Sequence, residues 1–169
     1  MLAALMQIGC SSSSTTSKEK EWLKIEFGDS WFLLNTFEGV YIQDWRHSAK
    51  SVRIPLHFTK EEQLRVLEVA DSVDFWSLRD SNFIPKYIKV KPAGVMGTMP
   101  RPSPYKIHLK TMAKENSIIQ EKDGHFPDPD NAKEIENANS RFNKVMEVIL
   151  YFLESKEEYK KLPPGPLRM

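Results

Sequence analysis

Ile135, Ala138, Phe142, Val145, Met146, Ile149, Phe152 and Leu153 recur at intervals of three and four residues, which places all of them on one side of a helix that turns once every ~3.6 residues. An apolar stripe of that length is too costly to leave in water, so the rest of the chain must supply a surface to cover it. Asp128-Pro129-Asp130 marks its start, with a proline suited to the first helical turn and acids that complement the positive end of the helix dipole.

The covering surface is read from segments with a different period. Leu23, Ile25 and Phe27 alternate with Lys24 and Glu26, and Gly28-Asp29 signals a turn before Trp31-Phe32-Leu33-Leu34, which predicts a hairpin. Val40-Tyr41-Ile42-Gln43-Asp44-Trp45 reads as a third strand. Val52, Ile54, Leu56 and Phe58 alternate with Arg53, Pro55 and His57 in a fourth, where the missing donor of Pro55 favours an edge position. Thr59-Lys60-Glu61-Glu62 has the form of a capping box and starts a helix that carries Leu64, Leu67, Ala70 or Asp71, and then Val73-Asp74 toward Phe75-Trp76 and Leu78. Further on, Tyr87-Ile88-Lys89-Val90 makes a short strand, and Tyr105, Ile107 and Leu109 alternate with Lys106, His108 and Lys110. Lys114-Glu115-Asn116 is expected as the loop of a hairpin that returns through Ser117-Ile118-Ile119-Gln120.

Strands, helix, strands and helix without repeated βαβ alternation predict an α+β fold: a largely antiparallel sheet of about six to seven strands with two helices packed on one face. At 169 residues and 40% hydrophobic content there is material for one such domain. The net charge of +1 gives no field to draw a nucleic acid, so no nucleic-acid partner is expected. One cysteine excludes an intrachain disulfide and a four-thiolate zinc site.

That cysteine has a distinctive setting. Met1-Leu2-Ala3-Ala4-Leu5-Met6-Gln7-Ile8-Gly9 is apolar but far short of the ~20 residues that span a bilayer, and Cys10 is followed by Ser11-Ser12-Ser13-Ser14-Thr15-Thr16-Ser17, a polar tether. Apolar run, small residue, cysteine and serine-rich linker resemble the signal and lipobox of bacterial lipoproteins, although Gln7 stands where that family carries a Leu-like residue. The resemblance implies lipid attachment at Cys10, through sulfur and at the new amino terminus. It further implies a cell-envelope location, the outer membrane if the cell is Gram-negative, since Ser11 resembles the residue that permits export there. The resulting division is 1–9 signal-like segment, 10–18 tether, 19–158 folded domain and 159–169 proline-rich tail.

Candidate chemistry is sparse. Asp44 and His47 bracket Trp45-Arg46 at a strand end and have the types of an acid/base pair, yet no G-x-S-x-G turn or H-E-x-x-H helix supplies a partner. A solvated strand end is the simpler reading. Asp123, His125, Asp128 and Asp130 bunch oxygen ligands but lack hard-cation loop spacing, and the helix start accounts for the aspartates. No metal or other cofactor is expected. The long loop from Lys91 to Pro104 holds Val95, Met96, Met99 and Arg101, soft apolar groups and a cation of the kind found on adaptable contact surfaces. The expected function is a lipid-anchored, non-enzymatic envelope protein whose domain binds another protein as an inhibitor, immunity-type factor or accessory. A small envelope hydrolase using Asp44 and His47, and a soluble cytosolic interaction domain with Cys10 a plain thiol, are the alternatives.

Overall fold

The alternating segments become strands whose turns are fixed by side chains. In the computed structural model, which describes residues 23–43, 51–83, 104–120 and 129–162, β1 (Lys24–Gly28) and β2 (Phe32–Asn35) form the first hairpin. Asp29 Oδ1 accepts from the backbone amides of Trp31 at 2.7 Å and Phe32 at 3.2 Å, a side-chain turn that commits the chain to reverse there. Gly28 is required because a Cβ would lie 2.2 Å from the Phe32 carbonyl oxygen. Asn35 repeats the device for the next reversal, its Oδ1 accepting from the amides of Phe37 and Glu38, and β3 (Val40–Gln43) follows.

β4 (Val52–Pro55) completes a meander, and the sheet order is β4-β3-β2-β1-β5-β6 with every pair antiparallel. β4 is an edge strand, as Pro55 led us to expect. The register shows why proline is tolerated: Leu56 donates its amide to the Gly39 carbonyl, so hydrogen-bonded positions alternate and Pro55 falls where its nitrogen faces away from β3. A missing donor there removes nothing from the ladder and blunts the edge against further pairing.

Helix α1 (Lys60–Ser72) begins with the expected capping box. Thr59 Oγ1 accepts from the Glu62 amide at 3.2 Å while Glu62 Oε2 accepts from the Thr59 amide at 2.7 Å. The same carboxylate meets Lys156 Nζ at 2.6 Å, both side chains less than a fifth exposed, so the cap also ties α1 to the far end of the next long helix. The sequence pattern carried this helix as far as the Phe75-Trp76 pair. It ends at Ser72 because Asp74 adopts a left-handed conformation at φ 52°, a cost for a non-glycine residue that Arg141 offsets by donating to the carbonyls of Val73 and Asp74 and to Ser77 Oγ. Two single-turn 3-10 segments, Phe75–Ser77 and Asp80–Phe83, then bring Phe75 and Leu78 into the core, as expected of them.

β5 (Tyr105–Lys110) and β6 (Glu115–Gln120) pair as predicted, but the loop between them is Thr111-Met112-Ala113-Lys114 rather than Lys114-Glu115-Asn116. Thr111 Oγ1 accepts from the amides of Ala113 and Lys114 and closes the turn early, leaving Glu115 and Asn116 inside the strand. α2 (Pro129–Ser155) carries the predicted stripe: Phe142, Val145, Ile149 and Leu153 are fully buried, against Ile25, Phe27, Leu34, Ile107, Leu109 and Ile118 of the sheet and Val66 and Ala70 of α1. After α3 (Glu157–Lys160), Tyr159 meets Tyr41 edge to face at 5.2 Å, and Leu162 is buried too, so the core runs to the end of the described chain. The fold is α+β, a six-stranded antiparallel sheet with its helices on one face. The strand expected at 87–90 lies outside the described residues.

Candidate docking face of the sheet

Because the helices cover the face built from Ile25, Phe27, Leu34 and Ile107, alternate residues of every strand point the other way. The register assembles them into rows. One row crosses all the strands as Arg53, Ile42, Leu33, Gly28, Lys106 and Ile119. The next runs Pro55, Val40, Asn35, Glu26, His108 and Ser117, and a third, shorter row holds Lys24, Lys110 and Glu115.

The first row is apolar at its centre, with Arg53 at one end and Lys106 between Gly28 and Ile119 on the other side. Beside Gly28 the surface sinks into a hollow of about 250 Å³, lined by the apolar Leu33, Pro104 and Ile119 and by Asp29 and Ser30 of the β1–β2 turn. The Lys106 ammonium and Glu26 carboxylate meet at 2.7 Å on its rim. Ile119 is 39% exposed, whereas Leu33 and Ile42 are half-buried by their neighbours. The strand edge beside Ile119 is closed, since its amide donates to Asp80 Oδ1 at 3.0 Å and Asn116 Nδ2 donates to the carbonyls of Phe75 and Leu78.

The second and third rows are polar and bonded to each other. His108 Nε2 and Glu115 Oε1 are 2.9 Å apart, and Lys110 Nζ reaches Glu115 Oε2 at 2.8 Å. Lys110 first and His108 second hold the Glu115 carboxyl below its usual range. Phe37 stacks on the His108 ring with centroids 5.6 Å apart, and Lys24 Nζ lies 5.2 Å from the centre of the Phe37 ring. Ser117 stands opposite His108 in the register, with no hydrogen bond between the two side chains. What the face supplies is shape and apolar area, with fixed charges beside it.

The structure places the histidines predicted on the polar sides of their strands as expected: His108 faces away from the core, and His57 is exposed with its ring over Gly39. Cys10, Asp44, His47, Val95, Met96, Met99, Arg101, Asp123, His125 and Asp128 lie outside the described residues. Among the described residues there is no cluster of three or more metal-ligating side chains, and no helix is long and apolar enough to cross a membrane. The sequence does not reveal the row across the sheet, because period-two alternation shows which residues share a face of one strand but not which strands are neighbours. No protein-family model, curated protein or solved structure matches the chain.

Proposed function

We propose that this chain is a lipid-anchored binding domain without enzymatic activity, held at the cell envelope through Cys10, which docks a protein partner on the outward face of its sheet. The observation that carries the reading is the row Ile42, Leu33, Gly28, Lys106 and Ile119, a rigid strip with an apolar centre and a hollow, set on strands whose other face is locked in the core. Interfaces are built this way, with a few apolar groups at the centre and a polar rim that excludes water. The polar rows around Glu26 and His108 serve as that rim. The anchor is supported by the apolar run and the serine-rich tether that flank Cys10.

Photo-crosslinking in intact envelopes tests both parts. A benzophenone amino acid at Ile42 is expected to give a discrete adduct that is absent when the probe sits at Glu154, an exposed position on α2. Cys10→Ser is expected to move the protein from the detergent phase to the aqueous phase and to weaken the adduct by removing it from its partner's location. Equal adducts from both probe positions would remove the docking face, and an aqueous native protein with an unmodified mass would remove the anchor.

A further inference from the structure

Building on the docking reading, we infer that the hollow over Gly28 is the receptor for a single tryptophan or tyrosine side chain of the partner. Size sets the first limit. An apolar cavity of about 150 Å³ is enough for benzene, and pockets for drug-sized ligands begin at about 300 Å³, so 250 Å³ holds one ring system and not a cofactor.

The lining selects the kind of ring. Gly28 presents backbone to the hollow, Leu33, Pro104 and Ile119 give it apolar walls, and Asp29 and Ser30 add polar lining from the β1–β2 turn. Lys106, whose ammonium is paired with Glu26 at 2.7 Å, brings a cation to the lining, and a cation attracts the negative face of a ring as it does not an aliphatic side chain. Glu26 shares that lining and offers a carboxylate to an indole N–H or a phenol O–H, the polar handle that phenylalanine lacks. The Gly28 backbone is also fixed, because the turn that forbids a Cβ there holds Phe32 against it whether or not a ligand is bound. A preformed pocket of this kind spares the ordering cost that binding otherwise incurs.

The test uses the full chain and N-acetyl-tryptophanamide as the probe, with N-acetyl-leucinamide beside it, followed through the backbone amide resonances. Tryptophanamide is expected to shift Gly28, Leu33, Lys106 and Ile119 with millimolar affinity, and leucinamide about tenfold more weakly. Ile119→Lys fills the wall at an exposed position and is expected to abolish the shifts, whereas Arg53→Ala at the far end of the same row leaves them intact. The inference is overturned if tryptophanamide leaves these amides unmoved, if leucinamide binds as well, or if the Ile119→Lys variant, still folded by its other resonances, responds like the native chain. Any of those results stands apart from the docking reading, which is judged by adducts from Ile42. Probe binding without such adducts would show that the hollow takes a ring but remove the partner that is to supply it, and would overturn the inference as stated.

Discussion

At the scale of single residues, the most constrained contact is one that a side chain makes with the absence of another. Gly39 has φ +67°, and a Cβ built on it would lie 2.2 Å from Cε1 of His57, so the turn between β2 and β3 combines a left-handed backbone with a ring laid across it. Gly39→Ala is expected to destabilise the fold twice over: about 1–2 kcal/mol for the backbone conformation and a further steric cost as the ring is displaced. His57→Ala alone should be nearly silent, since the ring is exposed, yet in that background Gly39→Ala should lose its steric part and keep only the backbone part. Denaturant unfolding of the two single variants and the double variant reads the coupling directly. An additive double variant would mean that the ring does not rest over the glycine.

Elements are held by junctions that the sequence shows only in part. The capping box at Thr59 was legible because its two partners lie three residues apart, and so was the α2 stripe, because helical spacing is a local property. Their long-range halves were not. Nothing near Glu62 announces Lys156, and nothing near Asp74 announces Arg141, the residue that makes a left-handed aspartate tolerable and stops α1 short of the expected Phe75. The early close of the β5–β6 loop has the same origin: Glu115 and Asn116 look like turn formers until Lys110, His108 and the carbonyls of Phe75 and Leu78 are found to hold them in the strand. Thr59→Ala is expected to cost about 0.5–2 kcal/mol, the usual range for a lost helix cap. Glu62→Gln keeps an acceptor for the Thr59 amide but gives up the charge that faces Lys156 in a site largely withdrawn from water, so it should exceed Thr59→Ala. A smaller loss for Glu62→Gln than for Thr59→Ala would show that the carboxylate acts in capping alone.

For the whole molecule the question is what couples the sheet to its helices apart from the apolar core. One tie runs from the tip of the β5–β6 hairpin to α1, where Lys114 Nζ meets Asp71 Oδ1 at 2.8 Å, lies 5.5 Å from the Trp76 ring, and shares the carboxylate with Trp76 Nε1 at 2.6 Å. Lys114 is the main reason the Asp71 carboxyl titrates below its ordinary range; burial opposes it, and the indole N–H adds a lowering smaller than that opposition. A carboxyl with a lowered folded pKa gives stability that is fully present above the unfolded value of about 3.9 and lost as the pH falls through the lowered folded value. Lys114→Met removes the cause and should return Asp71 toward ordinary titration. The variant is therefore expected to melt below the native protein at pH 7, and the gap should narrow as both are acidified and Asp71 takes up its proton. Because the pair is about half exposed, the gap at pH 7 should be small and should shrink further in high salt. A gap of the same size after acidification would assign the loss to the Lys114 stem packed on Trp76, and the hairpin would then be tied to α1 by contact rather than by charge.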